Sequence, residues 1–338
     1  MKPLERKRSL ECIEMLRVIA AFGVMLSHVG YGYYYAKSFD AAIGIHLFFC
    51  ISAFLMMLNS EKAEPGAMFV RRVIRLIPLY WIMNIATFAA SYVVSGFGQA
   101  NIPIDQLVKS LLFLPYVRDG MKDVDVVRPI VGPAWTMNYD FWFLVLFVIS
   151  TKISRKMRGL IACLACLAVY IGGRFLPGDW AVARFMQREI WLYYIAGIGV
   201  YALWRRLRNA EKAPKRTALY LVLCAALLAV LYYTPAERHV WKILILSAAI
   251  LFLTVFVFEK ARVPAFVPWF GSVSYSFYLT HYYVVMILSV FFDFTEFTAL
   301  TVLGTVLVIA VSLVVAQISC YIVEQKFGGF LKKKLVRS

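Results

Sequence analysis

The sequence predicts an all-α protein that crosses a membrane about ten times, with both termini on the cytoplasmic side. Composition, the recurrence of apolar runs and the distribution of basic residues carry this prediction. The 338 residues are 62% hydrophobic and 16% aromatic, with a mean hydropathy of +0.73, whereas soluble domains are nearer half apolar. A span needs about 20 mainly apolar residues. Runs of that kind lie near 13–35, 41–59, 77–97, 134–151, 158–176, 189–204, 217–234, 241–258, 271–292 and 297–323. With the N-terminus inside, cytoplasmic segments hold 25 Lys or Arg and outer loops hold 10. That asymmetry sets the orientation.

The net charge of +17 does not mark a nucleic-acid binder. The basic residues fall in short clusters between apolar runs, where membrane lipids are the natural partner. The N-terminal "MKPLERKRSLE" is charged and the first apolar run lacks a small-residue cleavage site, so it reads as a retained span. Between the second and third spans, "FVRRVIRLIP" reads as a basic amphipathic piece in the interface. Residues 98–133 form the longest connection, with four prolines, and 324–338 form a basic cytoplasmic tail. The whole of 1–338 reads as one transmembrane domain.

The first span, "EMLRVIAAFGVMLSH", carries Arg17 and His28 in an otherwise apolar run. Cations within a bilayer are costly and face cavities or partners. Eleven residues are close to three helical turns, so both point to one side, roughly 16 Å apart along the axis. One face thus offers a cation near the cytosol and a titratable ring beyond the midplane. Imidazole suits proton transfer near neutral pH, while a structural hydrogen bond between helices is the bland reading of His28.

Asp140, in "GPAWTMNYDFWF", is the acid in the core of the fourth span, at about the depth of His28. It could orient that ring or serve another buried donor. Trp135, just outside it, is as much a belt residue as a site wall. His281 is also deep, with a structural role the competing reading. Arg71, Arg72 and Arg75 cluster at the cytoplasmic interface, suited to phosphates or to anionic headgroups. "GIHLFFCISAFLM" and "GSVSYSFYLTH" mix small and aromatic residues, which most often means close helix packing. Cys163 and Cys166 form C-x-x-C without a second pair or a nearby His, so they read as inert, and no metal site is expected.

Taken in order, these pieces resemble the membrane acyltransferase 3 family, which O-acylates cell-surface sugars. Its Arg-x10-His signature stands at Arg17 and His28, with Glu14 three residues before. "FFCISAF" (48–54) resembles its FF-x-x-SGF. Arg72, Arg75, Pro78 and Tyr80 match R-x-x-R-x-x-P-x-Y. Trp135, Thr136, Met137 and Asp140 match W-S/T-L-x-x-E, and Ser274, Tyr275, Tyr278, Leu279 and His281 match SY-x-x-YL-x-H. His46 stands where members usually have Asp. Ala53 replaces Gly, implying slightly wider helix packing, and Asp140 replaces Glu, one methylene shorter.

The resemblance implies a multi-pass enzyme of the bacterial plasma (inner) membrane. It would move an acyl group, acetyl by default, from cytoplasmic acyl-CoA to a hydroxyl of a cell-surface, exopolysaccharide, capsule or O-antigen sugar. The acceptor is a glycan or lipid-linked glycan, and no permanently bound cofactor is implied. Arg17, Arg71, Arg72 and Arg75 would hold the donor phosphates, His28 would act as base and Asp140 as its partner. Glu14, Ser52, Trp135, Tyr139, Tyr275, Tyr278 and His281 would line the site. Whether Asp140 or His281 partners His28 stays open at this level. A polysaccharide or lipid-linked sugar transporter (a flippase) would also want intramembrane charge, but gives no reason for the Arg-x10-His spacing. A sensor or scaffold would not need His28.

Overall fold

The computed structural model describes residues 3–29, 42–93, 101–117, 127–209, 239–256, 263–294 and 298–335. Their regular structure is helical throughout: α1 (Pro3–His28), α2 (Ala42–Asn59), α3 (Pro65–Val93), α4 (Ile104–Leu111), α5 (Trp135–Ile153), α6 (Arg158–Gly172), α7 (Ala181–Met186), α8 (Ile190–Asn209), α9 (His239–Phe256), α10 (Phe266–Leu288) and α11 (Ala299–Ser319). α11 continues through a π-helical segment (Cys320–Phe327) into α12 (Gly328–Leu335). The span expected at 217–234 lies outside the described residues.

Among the described residues, three stretches are long and apolar enough to cross a membrane: Pro65–Val93, Arg158–Phe175 and Ala299–Leu335. Ile43–Asn59 and Val240–Phe256 are shorter apolar helices. The pattern on α6 is that of a lipid-facing helix. Leu160, Leu164, Leu167 and Ile171 form an exposed stripe, while Gly159, Ala162 and Cys166 are buried. Large residues outside and small ones inside invert the soluble arrangement, because lipid replaces water and small residues let helices approach. Exposed leucines and valines repeat this stripe along α11.

The chain divides into two compact units. The first comprises Met1–Glu61, Glu189–Ser274 and Phe294–Glu296. At its centre α2, apolar around its whole circumference, touches α1, α8 and α9, as expected of a fully buried helix. Gly44 brings α2 against α1: a Cβ there would lie 2.9 Å from the Ala20 carbonyl oxygen. Ala53 does not widen the packing of α2, because Gly197 on α8 supplies the close approach. A Cβ at Gly197 would lie 2.9 Å from that of Ala53. Phe49 and Phe54 meet Tyr194, Tyr201 and Trp204 of α8 edge-on. Just past α2, Glu61 accepts the Tyr201 hydroxyl and faces Arg205 Nε at 3.9 Å.

The second unit comprises Lys62–Arg188, Tyr275–Asp293 and Phe297–Ser338. Here α3 packs on α4, α5, the π-helical segment and α12. The basic stretch "FVRRVIRLIP" is not a separate interfacial piece. It is the first half of α3, which runs through Pro78 without a break. Beyond Val323, where the sequence reads as tail, helix continues to Leu335. A proline inside a helix removes one backbone bond at a cost of about 3 kcal/mol, so neighbours must hold α3 together there. Tyr275 does so, donating its hydroxyl to the Leu76 carbonyl at 2.5 Å.

The described part of the connection after α3 is anchored by its own caps and rings. α4 ends with Phe113 N–H donating to Ser110 O (3.0 Å) and Leu114 N–H to Lys109 O (2.9 Å). These are the paired bonds of a Schellman cap, whose left-handed position normally takes glycine. Phe113 occupies it at φ 56°. Its ring is sandwiched between Tyr80 (4.5 Å) and Phe141 (4.4 Å), and its carbonyl accepts Trp142 Nε1 at 2.9 Å. A glycine would remove the backbone strain and lose the sandwich.

Candidate active site

In the first unit, α1 carries Glu14, Arg17 and His28 on one unbroken helix, so the expected three-turn spacing holds in the backbone. All three are half-buried. His28 is the last residue of α1, a position where the helix dipole favours a cation. Arg17 Nη2 donates to the hydroxyl of Ser274 at 2.8 Å, and that hydroxyl in turn donates a hydrogen bond to the Gly271 carbonyl at 3.0 Å. Glu14 packs over Gly271, where a Cβ would meet its side chain at 3.0–3.2 Å. Phe22 stacks on Phe270 at 5.0 Å. The first turns of α10 therefore form a seat for α1, using the small residues Gly271 and Ser274. Ser52 on α2 is buried in the same unit, and His46 stacks on Tyr193 at 4.4 Å.

In the second unit, Arg71 and Arg75 are exposed one turn apart on α3, and Arg72 beside them is half-buried. Arg75 Nε faces the Glu324 carboxylate at 3.7 Å, and Ser276 donates to the other oxygen of Glu324 at 2.6 Å. Tyr275 lies within electrostatic reach of Glu324, Arg75 and Asp140, and Tyr278 within reach of Asp140. Tyr278 donates to the Pro133 carbonyl at 2.9 Å and meets the Thr136 hydroxyl at 3.0 Å. Trp135 contacts Tyr139 edge-on, and Tyr139 stacks on Phe185 at 4.2 Å. Residues from three motifs (Arg75; Tyr275 and Tyr278; Asp140) thus lie within electrostatic range of one another in this unit.

His281 is fully buried, and its Nδ1 lies 3.1 Å from the Phe277 carbonyl one turn earlier. A carbonyl can only accept, so this bond uses a proton on Nδ1. Tyr80 donates to the Ser110 carbonyl at 2.8 Å and approaches Asn138 Oδ1 at 3.4 Å.

Two residues here escaped the sequence reading. Ser274 was legible only as a motif letter, and its partner Arg17 lies 257 positions away. Glu324 was placed in the tail. The signal for it was an acid directly after the apolar "YIV", inside what proves to be continuous helix.

The first unit carries a cation and an imidazole on α1, and the second carries an arginine cluster on α3. Imidazole is suited to proton transfer and guanidinium to anions. Residues 10–320 match the family model described as an acyltransferase domain. The chain is 26% identical over 169 residues to the exopolysaccharide production protein ExoZ of Rhizobium meliloti (strain 1021), covering 49% of this chain and 52% of that protein. The match thus spans about half the relative's length. No solved structure matches the chain. With most of its length matched, the chain belongs to the acyltransferase 3 family of polytopic membrane proteins.

Proposed function

We propose that the chain is an O-acyltransferase of the bacterial inner membrane that acylates an exopolysaccharide or related surface glycan, with acetyl-CoA as the default donor. The observation that carries this reading is the Arg17–His28 pair on unbroken α1, with Arg17 fixed by Ser274 at 2.8 Å, in a chain of an acyltransferase family. The exopolysaccharide link of the ExoZ relative supports the acceptor class. About ten spans with both termini cytoplasmic, read from the loop charges, put the arginines on the side where acyl-CoA is made.

In this reading the phosphates of acyl-CoA stay at Arg17, Arg71, Arg72 and Arg75, because a polyanion cannot enter hydrocarbon. The slim pantetheine arm carries the thioester inward. His28 removes the proton from a sugar hydroxyl as that oxygen attacks the thioester carbonyl. The tetrahedral intermediate collapses, the carbon–sulfur bond breaks, and the CoA thiolate takes the proton from the imidazolium. No serine or cysteine nucleophile takes part. Tyr275 and Tyr278 line the path beside Asp140.

The test compares acyl groups on the surface glycan with the gene intact, deleted, and carrying His28→Gln. Removing a general base costs about 10² to 10⁴ in rate. Acyl groups should disappear in the deletion and in His28→Gln, with the variant protein still present in the membrane. Acylation within a few fold of wild type in His28→Gln would sink the assignment of the base, and unchanged acylation in the deletion would sink the function.

A further inference from the structure

A donor-phosphate site on α3 would account for the cations there but not for what aims them. Arginine carries five N–H donors around a planar fork, and phosphate is best met by the edge bearing its two terminal nitrogens. Arg75 is on an exposed face, its side chain 42% accessible, so its own surroundings do little to fix that plane. Glu324 is the opposite case, with a side chain only 8% accessible. A buried carboxylate is costly unless it is paired and hydrogen-bonded. Its two oxygens have different tasks: Oε1 accepts the Ser276 hydroxyl at 2.6 Å, and Oε2 faces Arg75 Nε at 3.7 Å.

The backbone around Glu324 is also unusual. It lies in an eight-residue π-helical segment, Cys320–Phe327, between two α-helices. π-helical turns are rare and often mark functional sites. At its end Gly328 packs against Ile74 of α3, where a Cβ would lie 3.6 Å from the Ile74 side chain. Nearby, Tyr275 holds the Leu76 carbonyl. The residues bracketing Arg75 are thus pinned to the elements that carry Glu324 and its anchor.

We propose that Glu324 is a positioning residue for the acyl donor. Anchored by Ser276, it takes the Nε side of Arg75 and turns the terminal nitrogens of the guanidinium towards a donor phosphate. The inference rests on the reading of Arg75 as a donor ligand. It assigns Glu324 no contact with the reacting atoms.

The test is equilibrium binding of CoA itself, whose phosphates are the same whatever acyl group is carried. Purified full-length protein in nanodiscs is titrated with radiolabelled CoA. Arg75→Ala should raise the Kd about tenfold or more. Glu324→Gln keeps the size and a partner for Ser276 but removes the charge, and it should raise the Kd about tenfold. Glu324→Asp should recover part of the loss. The Arg75→Ala/Glu324→Gln double variant should bind like Arg75→Ala alone, because the effect of Glu324 passes through Arg75. A packing role alone would lower protein yield and leave the Kd of the folded fraction unchanged.

If Arg75→Ala weakens CoA binding while Glu324→Gln leaves it within twofold, or if the two losses multiply, the positioning role is overturned and the donor reading stands. If Arg75→Ala has no effect, the donor reading of Arg75 falls and the proposal with it. Should Glu324→Gln fail to accumulate, Ser276→Ala releases the carboxylate without removing it. A roughly threefold rise in Kd supports the proposal, and an unchanged Kd overturns it.

Discussion

Ser274→Ala isolates the hold on Arg17. The substitution removes one oxygen, which accepts Arg17 Nη2 at 2.8 Å and donates to the Gly271 carbonyl at 3.0 Å. The second loss is minor, because Gly271 lies in α10, where its carbonyl has an amide partner one turn on. The first removes a hydrogen bond to a charged donor, which contributes about 1.5–3 kcal/mol. Arg17 is half-buried, so water recovers part of this and the lower end applies. About 1.4 kcal/mol is tenfold. Acetyl transfer from labelled acetyl-CoA to surface glycan, normalised to protein in the membrane, should fall about tenfold in Ser274→Ala. Ser274→Thr keeps the hydroxyl and should stay within threefold of wild type. The Arg17→Ala/Ser274→Ala double variant should match Arg17→Ala alone. Transfer within twofold of wild type for Ser274→Ala, or losses that multiply in the double variant, would refute the view that Ser274 acts by orienting Arg17.

Cysteines placed in 98–133 should react with an impermeant maleimide on intact cells, whereas cysteines in 60–70 and 205–216 should react only after permeabilisation; the reverse pattern would overturn the orientation. In the connection after α3, the Lys109 ammonium bonded to Asp105 at 2.7 Å holds that carboxyl below its ordinary 3.8. A group depressed in the folded state stabilises above its unfolded pKa and loses that contribution as pH falls through the lowered value. Carbon-13 titration should therefore place Asp105 below 3.8 and return it to the ordinary range in Lys109→Ala; an unshifted wild-type value would contradict the pairing.

Most of the helical layout was legible because lipid imposes a simple rule: about 20 apolar residues, then charge. α2, α5, α6 and α8 begin within one residue of the expected starts. That Arg17 and His28 share one helix was legible because the run between them is apolar almost throughout. Errors came where long-range neighbours decide. Pro78 reads as a boundary in isolation, yet α3 continues through it, with Tyr275 holding the adjacent turn. The helix beyond Val323 was missed because a run of lysines reads as tail. Ser274 and Glu324 could not be assigned partners, since nothing local connects them to Arg17 or Arg75.

Pro78 has one more consequence. With no amide at that position, the carbonyl of Ile74 loses its donor within α3, and the arginine-bearing half of the helix is joined to its C-terminal half by one bond fewer. Helix continuity alone therefore does not transmit the orientation of the C-terminal half to Arg71, Arg72 and Arg75. That orientation is delegated to contacts from the last third of the chain: the Tyr275 hydroxyl on Leu76 and the backbone of Gly328 beside Ile74. Substitutions at positions some 200 residues apart from the cluster can then re-aim it without touching an arginine, and sequence drift at 275 and 328 becomes drift in the direction the guanidinium groups face.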